Sequence, residues 1–244
     1  MLLAVDIGNT NIHCGIFKGD SLGKTFKIRT EEKIFGRGFR PYAKKIERAV
    51  IVSVVPEALG RVKRYLRGAL RCPVFVVGED VDSGVKNLYR KPGQVGQDRL
   101  VNAKAAFELY GGGAIVVDFG TAITIDVIND KREYLGGIIA PGVELSVGAL
   151  SRRAALLPDV TLRKPGDILG RETRESMISG AIYGFSSLCD GVVERLKKKC
   201  CGKCGVIATG GMASLIGPYC KTIKNIDLHL TLKGLRLIGA EADV

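Results

Sequence analysis

The 244-residue chain contains no tryptophan and only two histidines, His13 and His229, and aromatic residues make up 6% of it. Proteins that grip single-stranded nucleic acid by stacking need aromatic platforms interleaved with basic residues; that pairing is missing, and nucleic-acid binding is not expected. No apolar run approaches the roughly 20 residues needed to cross a bilayer, so no membrane span is expected. Met1 leads directly into Leu2-Leu3-Ala4-Val5-Asp6 with no basic stretch and no small-residue cleavage site. That argues against a secretory signal and for a cytoplasmic protein. Cysteines number seven and are scattered, with a single Cys-x-x-Cys at Cys201 and Cys204. A four-ligand zinc site needs further Cys or His close by, so Cys200, Cys201 and Cys204 are expected to form a reduced turn. Cys14, Cys72, Cys189 and Cys220 lie in or beside apolar runs, where a thiol packs as a small hydrophobe.

What the chain does have is apolar content and positive charge. It is 46% hydrophobic, and a chain of this length buries roughly 70–75% of its unfolded surface. The formal net charge is +12, with Lys and Arg concentrated in residues 61–71 and 195–203. Such clusters read as solvated helix faces, or as attraction for anionic partners such as a nucleotide or an acidic small molecule.

Two segments repeat one pattern. Asp6-Ile7-Gly8-Asn9-Thr10-Asn11 and Asp118-Phe119-Gly120-Thr121-Ala122 each close one apolar run and open another. Each reads as strand, tight turn led by Asp, returning strand. Glycine lets the turn backbone approach a ligand closely, successive backbone N–H groups can bond phosphate oxygens, and the Asp offers a carboxylate for a metal ion. Alone, either turn is equally well an ordinary hairpin with an Asx hydrogen bond. Together they suit a metal-bound polyphosphate. Thr209-Gly210-Gly211, after a short buried strand, provides backbone flat enough to lie against a planar group such as adenine.

Between these turns the pattern predicts strands at 24–29, 50–55 and 74–77 and helices at 42–49, 57–71 and 97–110. The last carries Leu100, Ala103, Phe107 and Tyr110 on one face. Gly111-Gly112-Gly113 makes the best boundary. Beyond it come a strand at 138–140 flanked by Gly136-Gly137 and Pro141-Gly142, helices at 143–157 and 173–199 (the latter with breaks offered at Gly180 and Gly184), a strand at 206–208 and a helix at 232–240. Both halves start with strands and continue with alternating helices and strands. The expectation is α/β, in two similar domains over residues 1–112 and 113–244 with a cleft between them.

The three-part layout resembles the superfamily of sugar kinases, actin and the heat-shock ATPases, and further blocks sharpen the likeness. Gly96-Gln97-Asp98-Arg99 followed by Leu100-Val101-Asn102-Ala103, then Asp118 to Ala122, Gly136-Gly137-Ile138-Ile139-Ala140-Pro141-Gly142, Thr173 to Gly180 and Thr209-Gly210-Gly211 follow in order the signature of type III pantothenate kinases. The resemblance implies two ribonuclease-H-like (actin-like ATPase) domains flanking a nucleotide cleft, and transfer of the ATP γ-phosphate to pantothenate as the first step towards coenzyme A. It places ATP binding on Asp6, Ile7, Gly8, Asn9, Thr10, Asn11, Ile12 and His13, with Thr121 as a second phosphate contact. Pantothenate contacts fall on Tyr89, Gly96, Gln97, Asp98, Arg99 and Thr173. Asp98 takes the place of the general base and Asp118 that of a ligand for K⁺ or NH₄⁺, while Asp6 serves Mg²⁺ through the phosphates. It also implies a homodimer. His13 and Gln97 depart from the family pattern, and the cysteine cluster belongs to none of its blocks.

Physical chemistry supports these roles independently. An adjacent carboxylate can take the proton of an alkyl hydroxyl as the P–O bond forms. Asp98 sits in the first turn of a helix, whose positive end favours the ionised form, where it equally serves simple helix stabilisation. Arg99 suits a forked contact with the substrate carboxylate, or else a surface ion pair or a structural brace; the plainer readings are packing against a loop for Tyr89, a helix start for Thr173 and a strand side chain for His13. The arrangement requires that folding gather Asp6, Asp98 and Asp118 around one pocket. Two rivals remain: another phosphotransferase or phosphatase of the superfamily, with no use for residues 96–99, and a non-catalytic regulatory protein on the same fold, binding nucleic acid in a salt-dependent way.

Overall fold

The computed structural model describes residues 1–32, 38–201 and 204–242. The chain divides into two compact units, Met1–Glu108 with His229–Val244, and Leu109–Leu228.

The first unit is built on a five-stranded sheet of order β3-β2-β1-β4-β5. β1 (Leu2–Ile7), β2 (Asn11–Lys18) and β3 (Ser21–Arg29) run antiparallel, and β4 (Arg48–Ser53) and β5 (Val74–Val76) join parallel to β1. β1 is apolar on both faces, as a central strand must be. Leu3, Val5 and Ile7 enter one core with α1 (Pro56–Ala69), whose Ala58, Val62 and Leu66 recur every fourth residue. Ala4 faces the other core, with Val50, Val52, Val101, Leu232, Leu235 and Ile238. That second face is covered by α2 (Gln97–Tyr110) and α6 (Leu230–Glu241). A two-residue strand, β6 (Lys86–Asn87), lies in the loop before α2.

The second unit repeats the scheme. β7 (Ala114–Phe119), β8 (Ala122–Ile128) and β9 (Glu133–Pro141) are antiparallel, and β10 (Gly205–Thr209) and β11 (Asn225–Ile226) extend the sheet in parallel, giving the order β11-β10-β7-β8-β9. A short α5 (Ala213–Ile216) links β10 to β11 as α1 links β4 to β5. α3 (Val143–Arg153) and α4 (Thr173–Leu196) follow β9 and pack Val143, Val147, Met177, Ala181 and Ile182 against Ile115, Val117 and Phe119 of β7. These are two ribonuclease-H-like units, three antiparallel strands and two parallel ones each.

The structure departs from the sequence reading in several places. The helix expected at 42–49 is a 3₁₀ turn, Arg40–Lys45, because the chain from Arg48 pairs with β1 from Leu2 onwards. The strand expected at 138–140 starts at Glu133 and runs through Gly136-Gly137, with a register irregularity at Val127/Ile128 on its neighbour and Gly136 at φ 124°. α4 is continuous through Gly180 and Gly184 and ends in a π turn over Lys197–Cys201. α2 is buried on all sides from Arg99 to Ala106 rather than along one stripe. α6, read from the sequence as part of the second half, packs on β1 and β4 of the first unit. Gly15 lets it do so: a methyl group there would lie 3.1 Å from Leu232 Cδ1. Cys204 is disulfide-bonded, unlike the reduced turn expected, while Cys200 is a free thiol.

Candidate active site

In the first unit Asp6 is the fifth residue of β1, a strand residue rather than a turn residue. Side chains alternate along a strand, so Asp6 shares the face of Leu2 and Ala4, the one on which α2 and α6 pack. Directly across from it is His13 on β2, and beside it on β4 is Val52. His13 in turn faces Lys27 on β3. Burial, then the Lys27 charge, then His229 at the start of α6 hold the His13 imidazole below its usual pKa. His13 is therefore neutral at pH 7 and presents no fixed cation beside Asp6.

The turn itself is Gly8-Asn9-Thr10. The Gly8 N–H bonds the Asn11 carbonyl at 3.0 Å, and a Cβ on Gly8 would stand 3.2 Å from that oxygen. Asn9 and Thr10 are exposed at the tip. Ile7 and Ile12 point into the core, so only their backbones are available to a ligand. Thr30 braces the loop: its hydroxyl donates to the Gly8 carbonyl at 2.7 Å and its N–H to the Thr10 carbonyl at 3.1 Å. Arg61 then donates to the Thr30 carbonyl. Sequence reasoning missed Thr30, which lies 22 residues from Gly8 and carries no local signal.

The start of α2 is delivered to this same edge of the sheet. The Val54 N–H, just past β4, bonds the Ile7 carbonyl at 3.1 Å. A methyl on Gly96 would sit 3.5 Å from Val54 Cγ1. Gln97 lies over Gly78, at the end of β5, where φ is 86° and any Cβ would strike the Gln97 side chain. Thus the Gly8 turn and the α2 N-terminus both lie outside the carboxyl ends of β1, β4 and β5, the place where open α/β sheets bind ligands. Asp98 folds back there: its Oδ1 accepts the Arg99 N–H at 2.9 Å and occupies the space a Gly96 side chain would need. Gly96 is therefore required by the Asp98 rotamer. Arg99, 7% exposed, is a buried residue and not the surface ion pair that was one reading of it. Tyr89 is half-buried in the preceding loop, its N–H held by Asn87 Oδ1 at 3.0 Å.

The second unit builds its own version. Asp118 is the fifth residue of β7, as Asp6 is of β1, and lies opposite Thr124 on β8 and Thr209 on β10. The Gly120 N–H bonds the Ala122 carbonyl at 3.1 Å, the counterpart of the Gly8 bond. Thr121 is exposed, and its carbonyl accepts the N–H of Gly142, the N-cap of α3, at 3.1 Å. Gly210, at φ 92°, packs against the Asp118 carboxylate, and the Met212 N–H bonds the Phe119 carbonyl at 3.1 Å. The Gly210 turn, read from the sequence as a support for a planar group, lies directly on Asp118. Thr173 opens α4, is exposed, and lines a groove of about 380 Å³ with Ser146, Leu150, Ser176, Met177 and Phe185.

Among the described residues no three His, Cys, Asp or Glu side chains converge as a metal cage. Asp6 and Asp118 each offer a single carboxylate, a donor set that fits a cation held chiefly by phosphate oxygens and water.

The family model for type III pantothenate kinase matches residues 2–195. The chain is 42% identical over 249 residues to the type III pantothenate kinase of Moorella thermoacetica and 41% identical to that of Halalkalibacterium halodurans, each alignment covering 98% of this chain and 98% of the relative. Among solved structures it resembles a Campylobacter jejuni Baf-family protein described as a transcriptional activator, with TM-score 0.64 at 21% identity over 98% of both chains. That last likeness speaks to the fold alone.

Proposed function

The chain belongs to the type III pantothenate kinase family, and on that footing we propose how its own residues divide the work. The enzyme transfers the γ-phosphoryl group of ATP to pantothenate, the first step of coenzyme A biosynthesis. ATP and a divalent ion come with that chemistry; the ion, when bound, offsets negative charge on the phosphates. The observation that carries the assignment of roles is the start of α2, where Gly96 leaves room for the Asp98 carboxylate close to Val54, just past the end of β4.

Asp98 accepts the proton of the pantothenate hydroxyl as its oxygen bonds to the γ-phosphorus and the bond to ADP breaks. The N–H groups and side chains of Asn9, Thr10 and Asn11 hold phosphate oxygens, with Ile7, Gly8, Ile12 and His13 shaping the loop, and Thr121 adds a contact of the same kind. Asp6 holds the divalent ion through the phosphates. Asp118 holds K⁺ or NH₄⁺, whose charge further offsets that of the phosphates. Arg99 clamps the pantothenate carboxylate, Tyr89, Gly96 and Gln97 are assigned further contacts with the same substrate, and Thr173 is assigned one as well.

The test is a product assay. ADP and a phosphorylated pantothenate are expected from ATP, Mg²⁺ and pantothenate together, with turnover falling by at least about tenfold, some 1.4 kcal/mol of barrier, when Na⁺ replaces K⁺. Equal ATP consumption without pantothenate would point to a phosphatase; indifference to K⁺ would remove Asp118 from its role.

We further infer a cytoplasmic homodimer. No helix among the described residues is long and apolar enough to cross a membrane. The second unit exposes Leu145, Leu150, Ile168, Leu169 and Leu156, the last at 93%, large apolar side chains of the kind that subunit contacts cover. Sedimentation equilibrium should give twice the chain mass, and Leu156→Asp should shift the protein towards monomer. A monomeric wild type would refute the dimer.

A further inference from the structure

Lys104 lies in the middle of α2 with its side chain 0% exposed, yet it is a lysine. Its ammonium donates to both oxygens of Glu241, the last residue of α6, at 2.7 and 2.6 Å. Gly84, at φ 72°, makes the room: a Cβ there would stand 3.1 Å from Lys104 Nζ and 3.7 Å from Glu241 Oε2. Two more contacts join the same helices. Thr231 Oγ1 donates to Asn102 Oδ1 at 2.8 Å, and the Gly234 backbone lies against Val101 with no space for a side chain. The Glu241 side chain is 59% exposed, so the pair has one sealed end and one open to water.

We propose that Lys104 and Glu241 form a latch by which the C-terminal helix sets the direction of α2 and so positions Asp98. This rests on the role of Asp98 given above. Packing alone would be served by an apolar side chain at position 104, since buried ion pairs add little net stability over well-packed hydrophobes. A sealed ammonium does something else. Any tilt or slide of α2 that parts it from Glu241 leaves a charge without a partner in an enclosed site, so arrangements other than the observed one are strongly disfavoured. Asp98 is six residues from Lys104, about 9 Å along the helix axis. A tilt of about 5° at Lys104 therefore moves Asp98 by about 0.8 Å, and misplacement on the order of 1 Å can cost about 10²-fold in rate. Lys104 and Glu241 are positioning residues; neither is assigned a contact with substrate.

The experiment measures kcat and KM, per folded molecule, for Glu241→Gln, Lys104→Met and the double variant in the full-length enzyme. Glu241→Gln is expected to lower kcat by roughly 5- to 50-fold, the lower part of the misplacement range, with KM for ATP within about twofold of wild type. The double variant should lose no more than the worse single one, since both remove the same link. Should Glu241→Gln not fold, Lys104→Met carries the same test, because it leaves no buried charge behind. Folded variants with kcat within about twofold of wild type, or failure of both variants to fold, assign the pair a structural role only and overturn the latch. In an Asp98→Asn background the latch substitutions should cost nothing further. Asp98→Asn with near-normal turnover would sink the role of Asp98 itself, whereas a slow Asp98→Asn with normal latch variants would sink the latch alone.

Discussion

Replacing Asp98 by Asn should lower kcat by about 10²–10⁴-fold, the range expected for loss of a general base, while KM for ATP stays close to wild type. The substitution is a clean one in this structure. Asn keeps an oxygen that can accept the Arg99 N–H, now made by Asp98 Oδ1 at 2.9 Å, and keeps the shape that Gly96 accommodates. What it loses is the carboxylate's affinity for a proton. The loss also removes a negative charge from the first turn of α2, worth about 0.3–1 kcal/mol to the helix. The rate effect corresponds to roughly 3–5 kcal/mol of barrier, several times larger. A thermal melt and a kcat measurement on the same preparation thus separate the two roles. Near-normal turnover would show that Asp98 only stabilises the helix start.

Both strand-turn-strand segments were legible because their information is local, although Asp6 and Asp118, read as leading the turns, end up inside the strands before them. An apolar run, a glycine and a returning apolar run define a hairpin whatever the rest of the chain does, and Asp6 and Asp118 occupy equivalent places in β1 and β7. The start of α2 at Gln97 was legible for the same reason. What escaped was set by contacts between distant segments. The residues before Arg48 have a helical look, but sheet pairing with Leu2 outweighs that weak propensity. Gly136 and Gly137 read as a strand boundary, yet a strand tolerates glycine at an irregularity in its register, which Gly136 borders opposite Val127.

The burial of α2 illustrates the limit most clearly. Asn102 and Lys104 break the apolar pattern, so the sequence suggests one buried stripe. Both are buried because Thr231 and Glu241 satisfy them from more than 120 residues away. A periodicity argument counts polar residues as solvent-facing and cannot see a partner supplied by another helix. On α4, Ile178, Ile182 and Cys189 recur at helical spacing and are core residues packed with β7, while Phe185 only half-buries along the Thr173 groove.

Gly210→Ala is expected to destabilise the protein by about 2–4 kcal/mol, placing it among single substitutions with strongly strained backbones and blocked side chains, and to lower Tm by about 4–16 °C for a chain of this size. Two effects add. Gly210 has φ 92°, a conformation that costs an L-residue on the order of 1 kcal/mol. A Cβ there would also lie 2.7 Å from the Phe119 nitrogen and 2.6 Å from its carbonyl carbon, and would collide with Asp118 Oδ1. Backbone cannot yield as a flexible side chain can, so the carboxylate must move. The loss of stability should therefore come with weakened dependence on K⁺, since the displaced group is the proposed cation ligand. Gly211 is the internal control: a methyl group there meets nothing within 4 Å, and Gly211→Ala should change stability by no more than about 0.5 kcal/mol, as surface substitutions do. If Gly210→Ala melts with the wild type, the packing of this turn on Asp118 is wrong. If it melts early but keeps its K⁺ dependence, the packing stands and the cation belongs elsewhere.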